Sequence, residues 1–211
     1  VYITSSLIIS TITVLGTAAF ALSAVFAASE KKADVFTVLV LGITTAVGGG
    51  TIRDCILNVP VFWSEDMQYI WIAILSCLIG FIFFPIFKIK QINRIYLYID
   101  AVAIAMFAIQ GTEKAWSLGF GLPIAPIILG VITAIGGGVI RDMLIQRQTL
   151  FLSKELYAIP VALGCTIHAV VLAYLPSFSN VSAIVSILIV VYIRHLAINK
   201  DLQVPSWAIM K

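Results

Sequence analysis

Apolar runs and polar breaks alternate along the chain at a spacing that predicts membrane-spanning helices. A helix needs about 20 consecutive apolar residues to cross a bilayer. Seven stretches approach or exceed that length: Ile3–Ala28, Asp34–Leu57, Gln68–Phe87, Tyr96–Gln110, Leu122–Ile145, Leu156–Leu175 and Val181–Ile198. The fourth is the shortest, ended by Gly111 and the charged Glu113-Lys114. Asp34 stands where the N-cap of the second helix is expected. The first run ends in "AVFAAS", a small-residue sequence of the kind that follows a signal peptide. It lacks a basic n-region and is too long for an h-region, so a spanning helix is the better reading. The numbering begins at Val1 rather than Met, which leaves the true start open.

Composition supports this pattern. Of 211 residues, 61% are hydrophobic and 11% are charged, and the mean hydropathy is +1.10. Soluble domains carry about 25% charged residues, so this chain lacks the polar residues to coat a water-facing surface. The reading is an all-α polytopic membrane protein in a single domain, residues 1–211, joined by short loops. The net charge of +3 forms no basic stripe, which points away from nucleic acid. Cys55, Cys77 and Cys165 lie scattered in apolar segments and read as small hydrophobes rather than a disulfide frame or metal site.

Charge also predicts an orientation. Lys31, Lys32, Lys88, Lys90, Arg94, Arg147, Lys154, Arg194, Lys200 and Lys211 fall on one side of the seven-segment scheme, and only Lys114 falls on the other, with Glu65 and Asp66. By the positive-inside rule the C-terminus faces the cytoplasm and the N-terminus faces out. Trp63, Tyr69, Trp71 and Trp116 then sit near the outer boundary, and Tyr96, Tyr98 and Tyr192 near the inner one, as interfacial belts.

Within the second and fifth segments the chain repeats itself. "TAVGGGTIRD" (Thr45–Asp54) returns 88 residues later as "TAIGGGVIRD" (Thr133–Asp142), and "FAASEKKA" echoes "FAIQGTEKA" upstream of each. Three segments per half is an odd number, so the second half enters the membrane from the opposite side. The prediction is an inverted repeat, about 3–87 and 96–175, followed by an added helix at 181–198. Gly48 lies fourteen residues after Asp34, and Gly136 fourteen after Leu122. At 1.5 Å per residue both lie about 21 Å in, from opposite faces, and so overlap near the midplane. Arg53 and Arg141 follow about 7.5 Å beyond, one toward each side.

These residues are expensive where they stand. An interior helix glycine costs about 1 kcal/mol relative to alanine, and an ionised residue at the centre of a spanning helix about 2.5–3.5 kcal/mol. Close helix packing would account for a lone glycine, but for a duplicated triplet followed by charge a bent or opened helix, its released carbonyls lining a polar passage, is the better account. Neighbouring residues on a helix point about 100° apart, so each arginine and aspartate is expected to find other partners. Such pairs either pin the helices together, line a pore, or do both. Asp100 lies near the cytoplasmic end of the fourth segment, where Arg94 is its expected partner. His168 reads as a hydrogen-bonded packing residue. Thr44, Thr45, Thr133 and Gln110 are candidates to line a path, although threonines in spanning helices commonly bond the i−4 carbonyl. The sequence shows no nucleophile–base pair, metal-ligand cluster, Walker pattern or dinucleotide fingerprint, so no enzyme is expected.

The doubled "GGGTIRD" and "GGGVIRD", in a seven-helix chain of this length, resemble the prokaryotic branch of the trimeric intracellular cation (TRIC) channel family. The resemblance covers essentially the whole chain. The same bacterial proteins overlap a group described as glycine transporters. The resemblance implies a homotrimer in the prokaryotic inner membrane, with an hourglass pore in each subunit for monovalent cations, mainly potassium. It also implies that the second and fifth helices, bent at their glycines, line that pore. The matching positions are Gly48, Gly49, Gly50, Arg53 and Asp54, then Gly136, Gly137, Gly138, Arg141 and Asp142. No cofactor is implied beyond the permeant K⁺ or Na⁺. Membrane lipids are expected partners; in animal members lipid head groups bind near a lysine-containing motif, and no lipid-binding residue is carried over. The alternatives are a carrier for a small zwitterion such as glycine, with arginine on the carboxylate and aspartate on the ammonium, and a structural subunit.

Overall fold

Among the described residues the apolar runs fold as helices. The structure, a computed structural model, describes residues 2–86, 89–153, 155–200 and 202–203. Phe87, Lys88, Lys154 and Lys211, used above for the third segment and the charge asymmetry, lie outside the described residues. In chain order the helices are α1 (Tyr2–Ala28), α2 (Val35–Leu57), α3 (Phe62–Glu65), α4 (Gln68–Phe83), α5 (Ile89–Ser117), α6 (Ala125–Leu144), α7 (Ala158–Tyr174) and α8 (Ser179–Lys200). Six of these stretches are long and apolar enough to cross a membrane, and α7 is a shorter apolar helix. The architecture is an all-helical polytopic membrane fold. Helices α1 and α5 pack together at its centre, α2 crosses α6, and α4 and α8 lie against α1 and α5 respectively.

Charged side chains are buried within a largely apolar core, and the outside is apolar as well. Arg53, Asp54, Asp100, Arg141, Asp142 and Arg194 are all buried, whereas Trp71, Leu75, Ile79 and Ile82 on α4 face outward. That last spacing is one helical face, and it suits lipid rather than water. Cys77 and Cys165 are buried as expected, but Cys55 is exposed.

Three features depart from the sequence reading. Helix α5 does not stop at Gln110; it continues to Ser117, through Gly111 and Glu113-Lys114. Gly111 is there for contact, since a Cβ on it would press on the Thr133 side chain at 2.7 Å. The two charges that looked like a loop have partners within the bundle, described below. Second, the short helix α3, preceded by the turn at Asn58, was not foreseen. Third, both glycine triplets lie within unbroken helix. The opened helix with released carbonyls is not what α2 and α6 form here.

Asp34 caps α2 as expected, accepting a hydrogen bond from the Thr37 amide at 2.8 Å. At their other ends α2 and α6 stop in the same way. Asn58 and Gln146, 88 residues apart, take left-handed conformations with φ of 54° and 52°. The next amides, of Val59 and Arg147, then close onto the carbonyls of Asp54 and Asp142 at 3.1 and 2.8 Å. This conformation costs a side-chain-bearing residue about 1–2 kcal/mol, and asparagine less. Gln146→Gly is therefore expected to raise stability by about 1 kcal/mol, and Asn58→Gly by less, read from thermal unfolding in detergent.

Candidate functional site

The two decapeptides meet face to face. A Cβ built on Gly49 would overlap the carbonyl oxygen of Thr133, and one on Gly137 would overlap that of Thr45. Gly136 lies against the Gly49 Cα, where a Cβ would sit 3.3 Å away. Helices α2 and α6 thus cross backbone on backbone, at matched positions of the two motifs. Only residues without a side chain allow this approach. The remaining glycines accommodate side chains: Gly48 that of Ile140, Gly50 the ring of Phe62, and Gly138 the hydroxyl of Tyr157. Thr45 and Thr133 turn their hydroxyls onto the Leu41 and Leu129 carbonyls of their own helices. Thr44 likewise bonds the Val40 carbonyl.

An ionic cluster lies on each side of the crossing. In the first, Asp54 Oδ1 accepts from Arg53 Nε at 2.8 Å, and Arg53 Nη2 makes an ionic contact with the same oxygen at 2.7 Å. Lys114 Nζ, from α5, reaches that oxygen at 2.8 Å. Asp54 Oδ2 accepts from the Phe62 amide at 2.9 Å, and Arg53 Nη1 donates to the side-chain carbonyl of Gln110. In the second cluster, Asp142 Oδ1 accepts from Arg141 Nε at 2.8 Å and from the Tyr96 hydroxyl at 3.2 Å. Asp142 Oδ2 accepts from the Leu150 amide at 3.2 Å. Arg141 Nη1 donates to Asp100 at 2.7 Å and to Ser23 at 2.8 Å, and Nη2 to the Tyr96 hydroxyl at 2.5 Å. Tyr157 closes the ring by donating to Asp100 Oδ2 at 2.9 Å.

Each arginine therefore does pair with the aspartate beside it, contrary to the reading from helical geometry. The guanidinium sits on a three-carbon arm that spans the 100° offset, and burial removes the water that would compete. Asp100 pairs with Arg141, not Arg94, whose guanidinium goes to Asn199. Tyr96, assigned above to the interfacial belt, is buried against Arg141, its ring 4.7 Å from the guanidinium carbon. Arg194, counted above among cytoplasmic loop charges, is also buried. It donates to the Leu156 carbonyl at 3.0 Å and lies 3.5 Å from Glu155. Ser23, Gln110, Lys114 and Tyr157 were missed as members of these clusters. The usable signal was the cost of Asp100, a buried acid with no base on its own helical face, which demands a distant cation.

His168 is the packing residue expected of it. Its Nδ1 lies 2.7 Å from Ser182 Oγ and its Nε2 2.7 Å from Glu113 Oε2. The row Ser–His–Glu has the order of a hydrolytic triad, but the Ser182 hydroxyl donates to the Ser179 carbonyl at 2.9 Å. The serine hydroxyl is therefore shared between a backbone carbonyl and the imidazole rather than free. The row joins α5, α7 and α8 and presents no free nucleophile.

Comparison with known proteins agrees with this architecture. The family model described as "Glycine transporter" matches twice, over residues 10–85 and 97–173. A UPF0126 membrane protein of Vibrio cholerae is 38% identical over 207 residues, covering 95% of this chain and 83% of that protein. The UPF0126 inner membrane protein YadS of Escherichia coli K12 is 35% identical over 201 residues, covering 93% and 94%. The crystal structure of a TRIC trimeric intracellular cation channel orthologue from Rhodobacter sphaeroides superposes with a TM-score of 0.86 at 30% identity, over 92% of this chain and 98% of that one. With both halves matched and the fold shared along nearly its whole length, the chain belongs to the glycine-transporter (UPF0126) family of bacterial membrane proteins, the group that overlaps the prokaryotic TRIC channels.

Proposed function

We propose that this protein conducts monovalent cations, K⁺ foremost and Na⁺ as well, through a separate path in each subunit of a homotrimer in the prokaryotic inner membrane. In this reading all seven long helices cross the bilayer, with the N-terminus outside and the C-terminus cytoplasmic. Residues 3–87 and 96–175 are two halves of opposite orientation, and 181–198 is an addition. Helices α2 and α6 line the path and flex at Gly48–Gly50 and Gly136–Gly138. The observation that carries the proposal is the α2–α6 crossing: glycine backbones in contact, with a buried ionic cluster on either side.

At a crossing without side chains, a modest change in helix angle separates two backbones rather than two packed side-chain layers. Backbone carbonyls would then face the gap, the kind of ligand that replaces the hydration shell of K⁺ or Na⁺. The carboxylates on either side offset the arginine charges that would otherwise repel a cation. In the geometry described, Asp54, Asp100 and Asp142 have all their oxygens engaged by the protein. We read this arrangement as the closed state. The TRIC cation channel orthologue from R. sphaeroides supports the reading.

The second reading is a carrier for a small zwitterion, which the description of the matching family favours. A channel must open to both sides together, whereas a carrier must not. With Cys55, Cys77 and Cys165 replaced, single cysteines at Val59 and Ile145, near the ends of α2 and α6, separate the two. We expect unitary K⁺ currents in planar bilayers, and modification of both cysteines by small thiol reagents from either side in conducting protein. Saturable glycine uptake without unitary currents, with strictly alternating cysteine accessibility, overturns the channel. Neither currents nor uptake leaves a structural role.

A further inference from the structure

We infer that the path is electrically polarised along its length, by Lys114 at one cluster and Asp100 at the other, and that it rectifies. This rests on the channel reading above and adds to it a preferred direction of cation flow.

Position by position, the two clusters share one frame. Both contain an arginine bonded to the adjacent aspartate, and an aspartate Oδ2 that caps the amide eight residues on. They differ in what completes them. Arg53 Nη1 meets the neutral amide side chain of Gln110, whereas Arg141 Nη1 meets the Asp100 carboxylate and the Ser23 hydroxyl. Asp54 Oδ1 meets a second cation, Lys114, whereas Asp142 Oδ1 meets the neutral Tyr96 hydroxyl. Two cations and one carboxylate leave the Asp54 cluster one positive charge. One cation and two carboxylates leave the Asp142 cluster one negative charge.

Neighbouring charges reduce this difference without reversing it. Glu113 is turned to His168, its Oε2 2.7 Å from Nε2. Arg147, half-buried with its guanidinium carbon 4.4 Å from the Tyr96 ring and also bonded to the exposed Asn93 at 2.9 Å, offsets part of the negative charge of the Asp142 cluster, as the partial exposure of Lys114 weakens the positive charge of the other. The six charges of the clusters are screened far less, since all but Lys114 have side chains no more than 1% exposed.

A net negative charge at one mouth concentrates cations there, and a net positive charge at the other depletes them. Cation current from the Asp100 side toward the Lys114 side should therefore exceed the reverse current at equal and opposite voltage. Screening sets the size: the Debye length is about 30 Å at 0.01 M salt and about 3 Å at 1 M. The expected ratio of currents is about two- to threefold in dilute KCl, falling toward one in 1 M KCl.

The test is unitary current–voltage recording in symmetric KCl from 0.02 to 1 M. A Cys55→Ser, Ser64→Cys background, labelled with a membrane-impermeant thiol reagent, identifies the compartment facing α3 and the Asp54 cluster. Lys114→Gln removes the excess positive charge, and Gln110→Glu adds a carboxylate beside Arg53. Each should reduce the ratio in dilute salt toward one, with a smaller effect on the ratio in 1 M KCl, where the charges are screened. Asp100→Asn should do the same from the opposite end. If it fails to fold, the other two variants still decide. Linear currents in the unmodified protein, or rectification unchanged in both Lys114→Gln and Gln110→Glu, would overturn polarisation and leave the channel standing. The absence of unitary currents from every variant would remove the channel reading, and polarisation with it.

Discussion

Gly49→Ala and Gly137→Ala are expected to be strongly damaging single-methyl changes, each lowering stability on the order of 3 kcal/mol. A methyl group at either position would overlap a backbone carbonyl of the opposing helix, Thr133 for Gly49 and Thr45 for Gly137. Backbone cannot rotate away as a side chain can, so α2 and α6 would have to move apart along their whole contact. The other glycines of each triplet make the comparison internal. At Gly48 the nearest atom is the terminal Cδ1 of Ile140 at 2.7 Å, the end of a flexible chain, and at Gly136 nothing lies closer than 3.3 Å. Gly48→Ala and Gly136→Ala should therefore cost about 1 kcal/mol or less. Unfolding midpoints of the four variants in one detergent check the ranking. Equal effects at all four positions would mean the triplets serve flexibility rather than contact.

The second large effect is expected at Arg141. Removing it with Arg141→Ala leaves Asp100 and Asp142 buried with no cation in direct contact, and breaking a buried pair this way costs about 3–5 kcal/mol. Arg53→Ala should cost less, because Lys114 remains on Asp54 at 2.8 Å. The double variant Arg141→Gln, Asp100→Asn, which removes one charge of each sign, separates charge from shape. It should recover part of the loss. If the double variant is no more stable than Arg141→Ala, the cluster holds α6 by shape rather than by charge.

Much of this arrangement was legible in the sequence. The all-helical membrane fold with six helices of spanning length follows from apolar length, the Asp34 cap from its side chain, and the matched positions of the two motifs from their repetition at a constant offset. What escaped was partnership. Gln110 lies 57 residues from Arg53, and Asp100 lies 41 from Arg141. Hydropathy registers the cost of a buried charge but not which distant residue compensates it. The same blindness ended the fourth segment too early: Glu113 and Lys114 look like a loop until His168 and Asp54 are seen to hold them. The glycines misled because bending and close approach require the same residue, and a triplet followed by charge favoured bending. The position of the opposing carbonyls decides between them, and no local pattern encodes it.

The exchange of partners between the halves also bears on how the protein is made. Arg53 waits for Gln110 and Lys114, which the ribosome adds 57 and 61 residues later. At about 5–20 residues per second, that is roughly 3–12 s during which the first half sits in the translocon or bilayer with its ion pair only half enclosed. During that interval the nascent chain is a substrate for membrane quality-control proteases, and stalling translation between α4 and α5 should produce a short-lived fragment rather than a stable three-helix domain. Ser23, in turn, is already in place when Arg141 arrives. The second half therefore completes its cluster against a surface the first half has prepared, and biosynthesis is directional even though the two motifs are alike.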